Sequence, residues 1–428
     1  MDLPKYIQTQ AAAAVKLVKY VDDEVVEHHH AADEILRTFF RKHKKYGSRD
    51  RRFFTDLVYS WFRWRGWIKE GEKNEWMRRC VIAGLMDAPE WGPALHAMIA
   101  SLEKPIKDPE PMGSLSIAAK AQRIQAMFHM DKPPTIADAF PDWVGHHVRE
   151  HSWLTGLQNH GAIWLRTRPD THQKVIEALD KEKAEYTIHP LLPHAICTYN
   201  RSAVTLLSQK LSHLFDLQNL SSQCVGHVCD PQEGEHWWDC CAGSGGKSIH
   251  LAELRETGMV FATDRRLAVM DELSRRVKTY KGKKINMRML DVLRDDPPEQ
   301  LFDGVLIDAP CTGIGTWGRN ADARWRMGEA QLQKMLFAQQ NILEKASLQV
   351  KPGGVLVYSV CTLTHDETSD MVGYFLKNHP HFEMQGITNP ATGEKSEGPL
   401  WLLPNDMDGD AMYIARMVNT QTESADPA

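Results

Sequence analysis

Residues 236–248 read His-Trp-Trp-Asp-Cys-Cys-Ala-Gly-Ser-Gly-Gly-Lys-Ser. A short apolar run ends in an aspartate, passes through a glycine-rich turn and enters a helical stretch. Glycines in such a turn let a ligand approach the backbone, and the helix start offers free N–H groups. A dinucleotide fingerprint would need glycine at 243, 245 and 248, but position 248 is serine. A Walker A loop ending in Gly246-Lys247-Ser248 would need glycine at 241, where Cys241 stands. What survives is a nucleoside-binding turn, Cys241, Ala242, Gly243, Ser244, Gly245, Gly246 and Lys247, without pyrophosphate geometry.

Outward from this turn the chain alternates strand and helix. Candidate strands are His236–Asp239, Met259–Asp264, Ile285–Leu290, Phe302–Asp308 and Val355–Val360. Helical stretches at Lys247–Thr257, Leu267–Tyr280 and Gln331–Gln349 separate them, the last carrying one apolar face, with Lys351-Pro352-Gly353-Gly354 read as a closing turn. The alternation predicts an α/β, Rossmann-like doubly wound parallel sheet. Asp264 follows Gly245 by 19 residues and suits two ribose hydroxyls. Asp291 closes the third strand within reach of an adenine edge, and Asp308 closes the fourth. One aspartate at a strand end is ordinarily a cap. Three at successive strand ends point to a ligand, since open α/β sheets bind at the carboxyl ends of their strands. S-adenosylmethionine fits the set.

Two cysteines share that edge. Cys311 lies in Asp308-Ala309-Pro310-Cys311-Thr312-Gly313, and Cys361 in Tyr358-Ser359-Val360-Cys361-Thr362-Leu363. A lone cysteine is usually a small buried hydrophobe. Two at adjacent strand ends beside an aspartate suggest thiolate chemistry. No Cys-x-x-Cys pair occurs, so no metal site is expected, and Cys224, Cys229, Cys240 and Cys241 lack partners at zinc spacing.

Upstream, two further regions are expected. Residues 1–135 read as helical: Ala11 to Val18 is strongly helix-forming, and Ala31 to Phe40 and Phe53 to Trp67 carry apolar residues at three-to-four spacing. The His28-His29-His30 triplet sits in that helical context and reads as a solvated run. Arg41 to Arg52 holds seven basic residues against one acid, and Trp61 to Trp67 interleaves aromatics with arginines. Basic plus aromatic suits a phosphate-and-base surface, while an aromatic stripe equally suits a helical core face. Residues 136–220 read as a small α/β subdomain, with a strand at Ala162–Arg166, a helix at Gln173–Lys183 and short apolar segments around Ala195 and Val204. Residues 221–418 are the catalytic domain, and 419–428 a disordered tail.

Composition bounds the class. The chain has 428 residues, a net charge of -5, 42% hydrophobic and 25% charged residues, which excludes a disordered or fibrous chain. No apolar run approaches the ~18–20 residues of a membrane span, and no leader pattern opens the chain. Eight irregularly spaced cysteines are no disulfide framework. A cytoplasmic monomer is expected.

These motifs resemble the RNA (cytosine-5)-methyltransferases, in particular the bacterial Sun-type, RsmB-like ribosomal RNA enzymes. The resemblance covers roughly residues 140–418. It rests on Asp308–Gly313, Tyr358–Leu363, the run Gly315 to Trp325 with Arg319, Asn320 and Arg324, and Asp408–Ala415. Tyr46 to Arg52 is similar to a segment of the NusB-like helical domain of those enzymes. The sequence departs from the family at several places: the loop carries Gly243-Ser244 where Ala-Pro is usual, Val360 precedes the second cysteine in place of threonine, Asp366-Glu367-Thr368 replaces an acidic-Asn pair, and Ala321 a proline. The resemblance implies S-adenosylmethionine as cofactor, RNA as partner and Cys361 as the nucleophile that adds to cytosine C6. It gives Cys311 the release role and Asp308 the contact to the base edge; Lys247, on the cofactor loop, is read as lowering a cysteine pKa or contacting the substrate. It leaves transfer RNA open as the substrate, and a non-catalytic RNA-binding assembly factor as the reading from another class. Ser248 disfavours a nicotinamide oxidoreductase.

Overall fold

The computed structural model describes residues 5–68, 76–88, 90, 92–106, 109–159, 161–279 and 284–422. The chain divides into two compact units. One comprises Met1–Asn159 with Trp317–Glu329, the other His160–Thr316 with Ala330–Ala428. The helical unit therefore runs past the expected boundary at 135 and reclaims a segment from within the catalytic region. Of the stretches read from the sequence, 1–4, 423–428 and Tyr280 lie outside the described residues.

The helical unit contains long helices at Lys5–Val26, Ala32–Lys42, Ser48–Ile68 and Trp76–Asp87. The aromatics of Ser48–Ile68 turn inward: Trp61, Phe62, Trp64 and Trp67 are all buried. Their polar edges are satisfied inside, as buried groups require. Trp61 Nε1 donates to Asp22 Oδ1 at 2.8 Å, and Arg63 Nη1 to Asp87 Oδ2 at 3.0 Å. The stripe is thus a core face. The seven basic residues from Arg41 to Arg52 are all exposed. The histidine triplet lies in the turn after the first helix, not in a helix, with His29 at φ 58°.

In the second unit, strands Ile163–Thr167, Tyr186–Ile188, Ala195–Thr198 and Phe215–Leu217 pair antiparallel, with helices His172–Lys181 and Arg201–Leu211 in the β-α-β-β-α-β order. Val204, read as part of a short apolar segment, lies in the second of these helices. One face packs Leu165 and Ile196 against Val175, Leu179 and Leu207. The other packs Trp164, Ala195 and Cys197 into the core with Leu220, Cys224 and Trp237. Both faces are covered, so this sheet offers no open aromatic platform.

The main sheet is built from β1 (His236–Asp239), β2 (Met259–Asp264), β3 (Ile285–Met289), β4 (Phe302–Asp308), β5 (Val350–Val360), β6 (Phe382–Gln385) and β7 (Met412–Asn419). Across the sheet the order is 3-2-1-4-5-7-6. The first five strands run parallel; β7 is antiparallel to β5 and β6, and the short strand Leu400–Leu402 also pairs antiparallel with it, off that path. Val- and Ile-rich strands of this kind are buried on both faces, as Val305, Leu306, Ile307, Leu356 and Val357 are. The order reverses between β1 and β4, which fixes where a ligand crevice opens.

Two expectations need correction. Lys351-Pro352-Gly353-Gly354 does not close the preceding helix; it is an excursion inside β5. Phe302 pairs with Val350 and Gly304 already with Val355, and Gly353 takes φ 74° to make the detour. Asn419 is not tail: it is the last residue of β7, and its Nδ2 donates to Val350 O at 3.0 Å.

Candidate active site

The glycine-rich turn follows β1 directly. Ala242 N donates to Thr263 O at 2.9 Å and Gly245 N to Ala242 O at 2.8 Å, which folds the loop over the end of β2. Gly243 and Gly245 take φ 55° and 82°, a region that disfavours side chains. A Cβ on Gly243 would meet only Arg266 Nη2, at 3.8 Å, so the outer side of the turn is open to a ligand. A Cβ on Gly245 would lie 2.0 Å from Leu273 Cδ1, so its inner side is closed by core packing.

Asp264 ends β2 almost fully buried. Gly243 N donates to its Oδ2 at 3.0 Å, and Arg266 N and Nε donate to its Oδ1 at 2.9 and 3.0 Å. Burial works against its charge, yet the bonds from Arg266 and Gly243 hold the carboxyl below the ordinary range. Asp291 accepts from Leu293 N at 3.1 Å, the local capping geometry, and pairs loosely with Arg294. Asp239 is fully buried at the end of β1. Its Oδ2 accepts from Ser248 Oγ at 2.6 Å, while Oδ1 has no hydrogen-bond partner among the described residues. Burial pushes this carboxyl up to about 7, with the Ser248 bond opposing. An open glycine turn, a held carboxylate and an orphaned buried oxygen fit a polar nucleoside ligand bearing a cation.

The β4–β5 register sets Asp308 opposite Ser359. Ser359 Oγ donates to Asp308 Oδ1 at 3.0 Å, and Lys247 Nζ to Asp308 Oδ2 at 2.7 Å. Burial opposes the Lys247 charge, but Asp308, with Cys361 and Asp239 adding, holds the ammonium above its ordinary value. Cys361 follows β5, and Cys311 lies three residues beyond β4. Their sulfurs face each other at 3.5 Å, both as free thiols, part-exposed. The bond to Cys361, then burial, push the Cys311 thiol well above its ordinary value, so Cys311 holds its proton. Cys224, by contrast, is a core cysteine pushed up to about 12 by burial alone.

The sequence reading gathered Lys247, Asp308, Cys311 and Cys361, and these four do converge. It missed Ser359, Asp239 and Glu367. Ser359 was visible two residues before Cys361, and Glu367 six after it, but neither belongs to a local pattern that marks a site.

The family model described as 16S rRNA methyltransferase RsmB/F matches residues 227–418. The Synechocystis protein named "Probable ribosomal RNA small subunit methyltransferase B" is 30% identical over 302 residues, 65% of this chain and 66% of that one. The ribosomal RNA small subunit methyltransferase B of Yersinia enterocolitica is 28% identical over 264 residues, 60% of this chain and 59% of that one. The chain thus spans 59–66% of the length of these curated relatives. Among solved structures, the crystal structure of PH0851 covers 97% of this chain and 99% of its own at a TM-score of 0.70 and 22% identity. A methyltransferase homolog from Pyrococcus horikoshii covers 63% of this chain and 90% of its own at a TM-score of 0.54 and 24% identity. Both share its fold. With the sheet order and the glycine turn, the match marks residues 227–418 as a methyltransferase region similar to the RsmB/F enzymes, of the kind that takes S-adenosylmethionine.

Proposed function

We propose that the chain methylates C5 of a cytosine in ribosomal RNA, of the small subunit, through a covalent bond between Cys361 and C6. The observation that carries this reading is the facing pair of thiols at 3.5 Å beside an aspartate anchored by Lys247 and Ser359. The names of the curated relatives support the rRNA substrate.

Cytosine C5 is too weak a nucleophile to take a methyl group unaided. The Cys361 thiolate adds to C6, which makes C5 an enamine carbon. Asp308 bonds the N3/N4 edge and stabilises charge there, with Lys247 holding its orientation. S-adenosylmethionine supplies an electrophilic methyl group; the 241–247 turn, with Asp264 for the ribose hydroxyls and Asp291 towards the base, would hold it. The C5 proton then leaves through a water beside Cys311, and Cys361 is expelled to restore the ring. The target base must be unstacked to admit the thiol above its plane.

RNA engagement is assigned to the helical unit and to the small α/β region that follows it up to residue 220, with the exposed basic stretch Arg41 to Arg52 as phosphate contacts. A cytoplasmic monomer completes the reading. The test is bisulfite sequencing of ribosomal and transfer RNA from a strain lacking this gene. Loss of one protected cytosine in small-subunit rRNA supports the proposal. Loss in transfer RNA alone, or no loss in either RNA, overturns it.

A further inference from the structure

Glu367 is fully buried, and the mechanism above makes no use of it. Its carboxylate gathers donors from both thiol-bearing loops. From the Cys311 side, Thr312 N donates to Oε1 at 2.8 Å and the Thr312 hydroxyl to Oε2. From the Cys361 side, the hydroxyls of Thr362 and Thr364 donate to Oε2 at 3.0 and 2.8 Å. Gln339 Nε2 donates to Oε1 at 3.0 Å and to Pro310 O at 2.9 Å, which ties in the helix Glu329–Ser347. The Thr312 and Thr362 hydroxyls also touch each other at 2.8 Å.

A buried carboxylate is unfavourable unless its lone pairs are filled. Two of the fillers, Thr312 and Thr362, are the residues immediately after the cysteines, so the carboxylate is common to both loops. Fastening any two loops would serve stability alone. Fastening these two sets the distance between the sulfurs.

We propose that Glu367 is the positioning residue for both thiols, holding the Cys311 loop against the Cys361 loop so that the two sulfurs face each other. The inference rests on the catalytic reading for its purpose, but not for its geometry. The negative charge of Glu367 also acts on Cys311, after the Cys361 bond and burial, in the direction that keeps its proton on. Cys311 is thereby kept from competing as a nucleophile.

The test uses the full chain and needs neither RNA nor cofactor, so it reads out even where methyl transfer fails. Diamide, which takes two hydrogens from a thiol pair, should join Cys311 and Cys361 readily in the parent chain, as peptide mass spectrometry reads. In Glu367→Ala the yield of that linkage at fixed time should fall at least about fivefold. In Glu367→Gln, which keeps shape and some hydrogen bonding, linkage should be largely restored. Iodoacetamide labelling of Cys311 should then begin at lower pH than in the parent. Thr312→Val, which removes one tie and keeps the side-chain outline, should show a smaller loss of linkage in the same direction, and it serves if Glu367→Ala does not fold. Folded variants with unchanged linkage and an unchanged labelling curve would overturn the proposal and leave Glu367 a packed core residue.

Discussion

The two halves of the site are held by different means. The cofactor half is shaped by backbone: Gly243 and Gly245 take left-handed conformations, and Asp264 is gripped by a main-chain N–H of the same turn. The thiol half is shaped by side chains: Asp308, Ser359, Lys247 and the Glu367 cluster fix two sulfurs from four chain segments. A ligand that slides in against a turn needs missing Cβ atoms, whereas a nucleophile held to a fraction of an ångström needs a closed set of bonds. The first arrangement should yield by degrees when altered, the second abruptly.

The sharpest way to break this contrast is at the sulfurs. Cys361→Ala should lower methyl transfer by at least ~10³-fold and form no covalent RNA complex. Cys311→Ala should transfer the methyl group but stall, accumulating a denaturation-resistant adduct on a gel. An adduct from Cys361→Ala and none from Cys311→Ala would exchange the two roles. On the cofactor side a graded loss is expected. Asp264→Ala should weaken S-adenosylmethionine binding about tenfold or more by calorimetry, since charge-assisted bonds of ~1.5–3 kcal/mol each are removed. Unchanged affinity would take Asp264 out of the site.

Asp239, between the halves, predicts a pH effect. Its carboxyl is raised to about 7 in the folded chain, against ~3.9 unfolded. The folded state therefore binds the extra proton between these values, and stability from this residue is lost as pH rises from about 4 to about 7. At ~1.4 kcal/mol per unit the upper bound is roughly 4 kcal/mol. Denaturant midpoints at pH 4.5 and 7.5 should differ less in Asp239→Asn than in the parent. The smallest effect belongs to the surface: reversing several charges from Arg41 to Arg52 should flatten the log–log salt dependence of RNA binding by ~0.7–0.9 per lost contact. An unmoved slope would make that stretch a solvated helix face.

The contrast also explains what the sequence made legible. Strands β1, β2 and β4 match their expected bounds because buried parallel strands are continuous apolar runs closed by an acid. The glycine turn was readable because its requirement is local. The Glu367 cluster was not: it draws on 310, 312, 339, 362, 364 and 367, and no window of sequence holds that set. The detour at Gly353 escaped for a related reason, since Pro and Gly mark a turn wherever it falls, and only the pairing of Val350 with Phe302 shows that the strand has already begun.

The segment Trp317–Glu329 gives the helical unit a history as well as a shape. Arg324 is fully buried there, donating to Gln158 Oε1 at 2.8 Å, Leu157 O at 2.6 Å and Arg63 O at 3.1 Å, and Trp325 Nε1 donates to Phe62 O at 2.7 Å. Those acceptors leave the ribosome first and their donors much later. At ~5–20 residues per second the gap between them lasts roughly ten to fifty seconds. The unit that emerges first is thus completed only after β4 has been made, and a nascent chain cut at 159 would lack the piece that closes it.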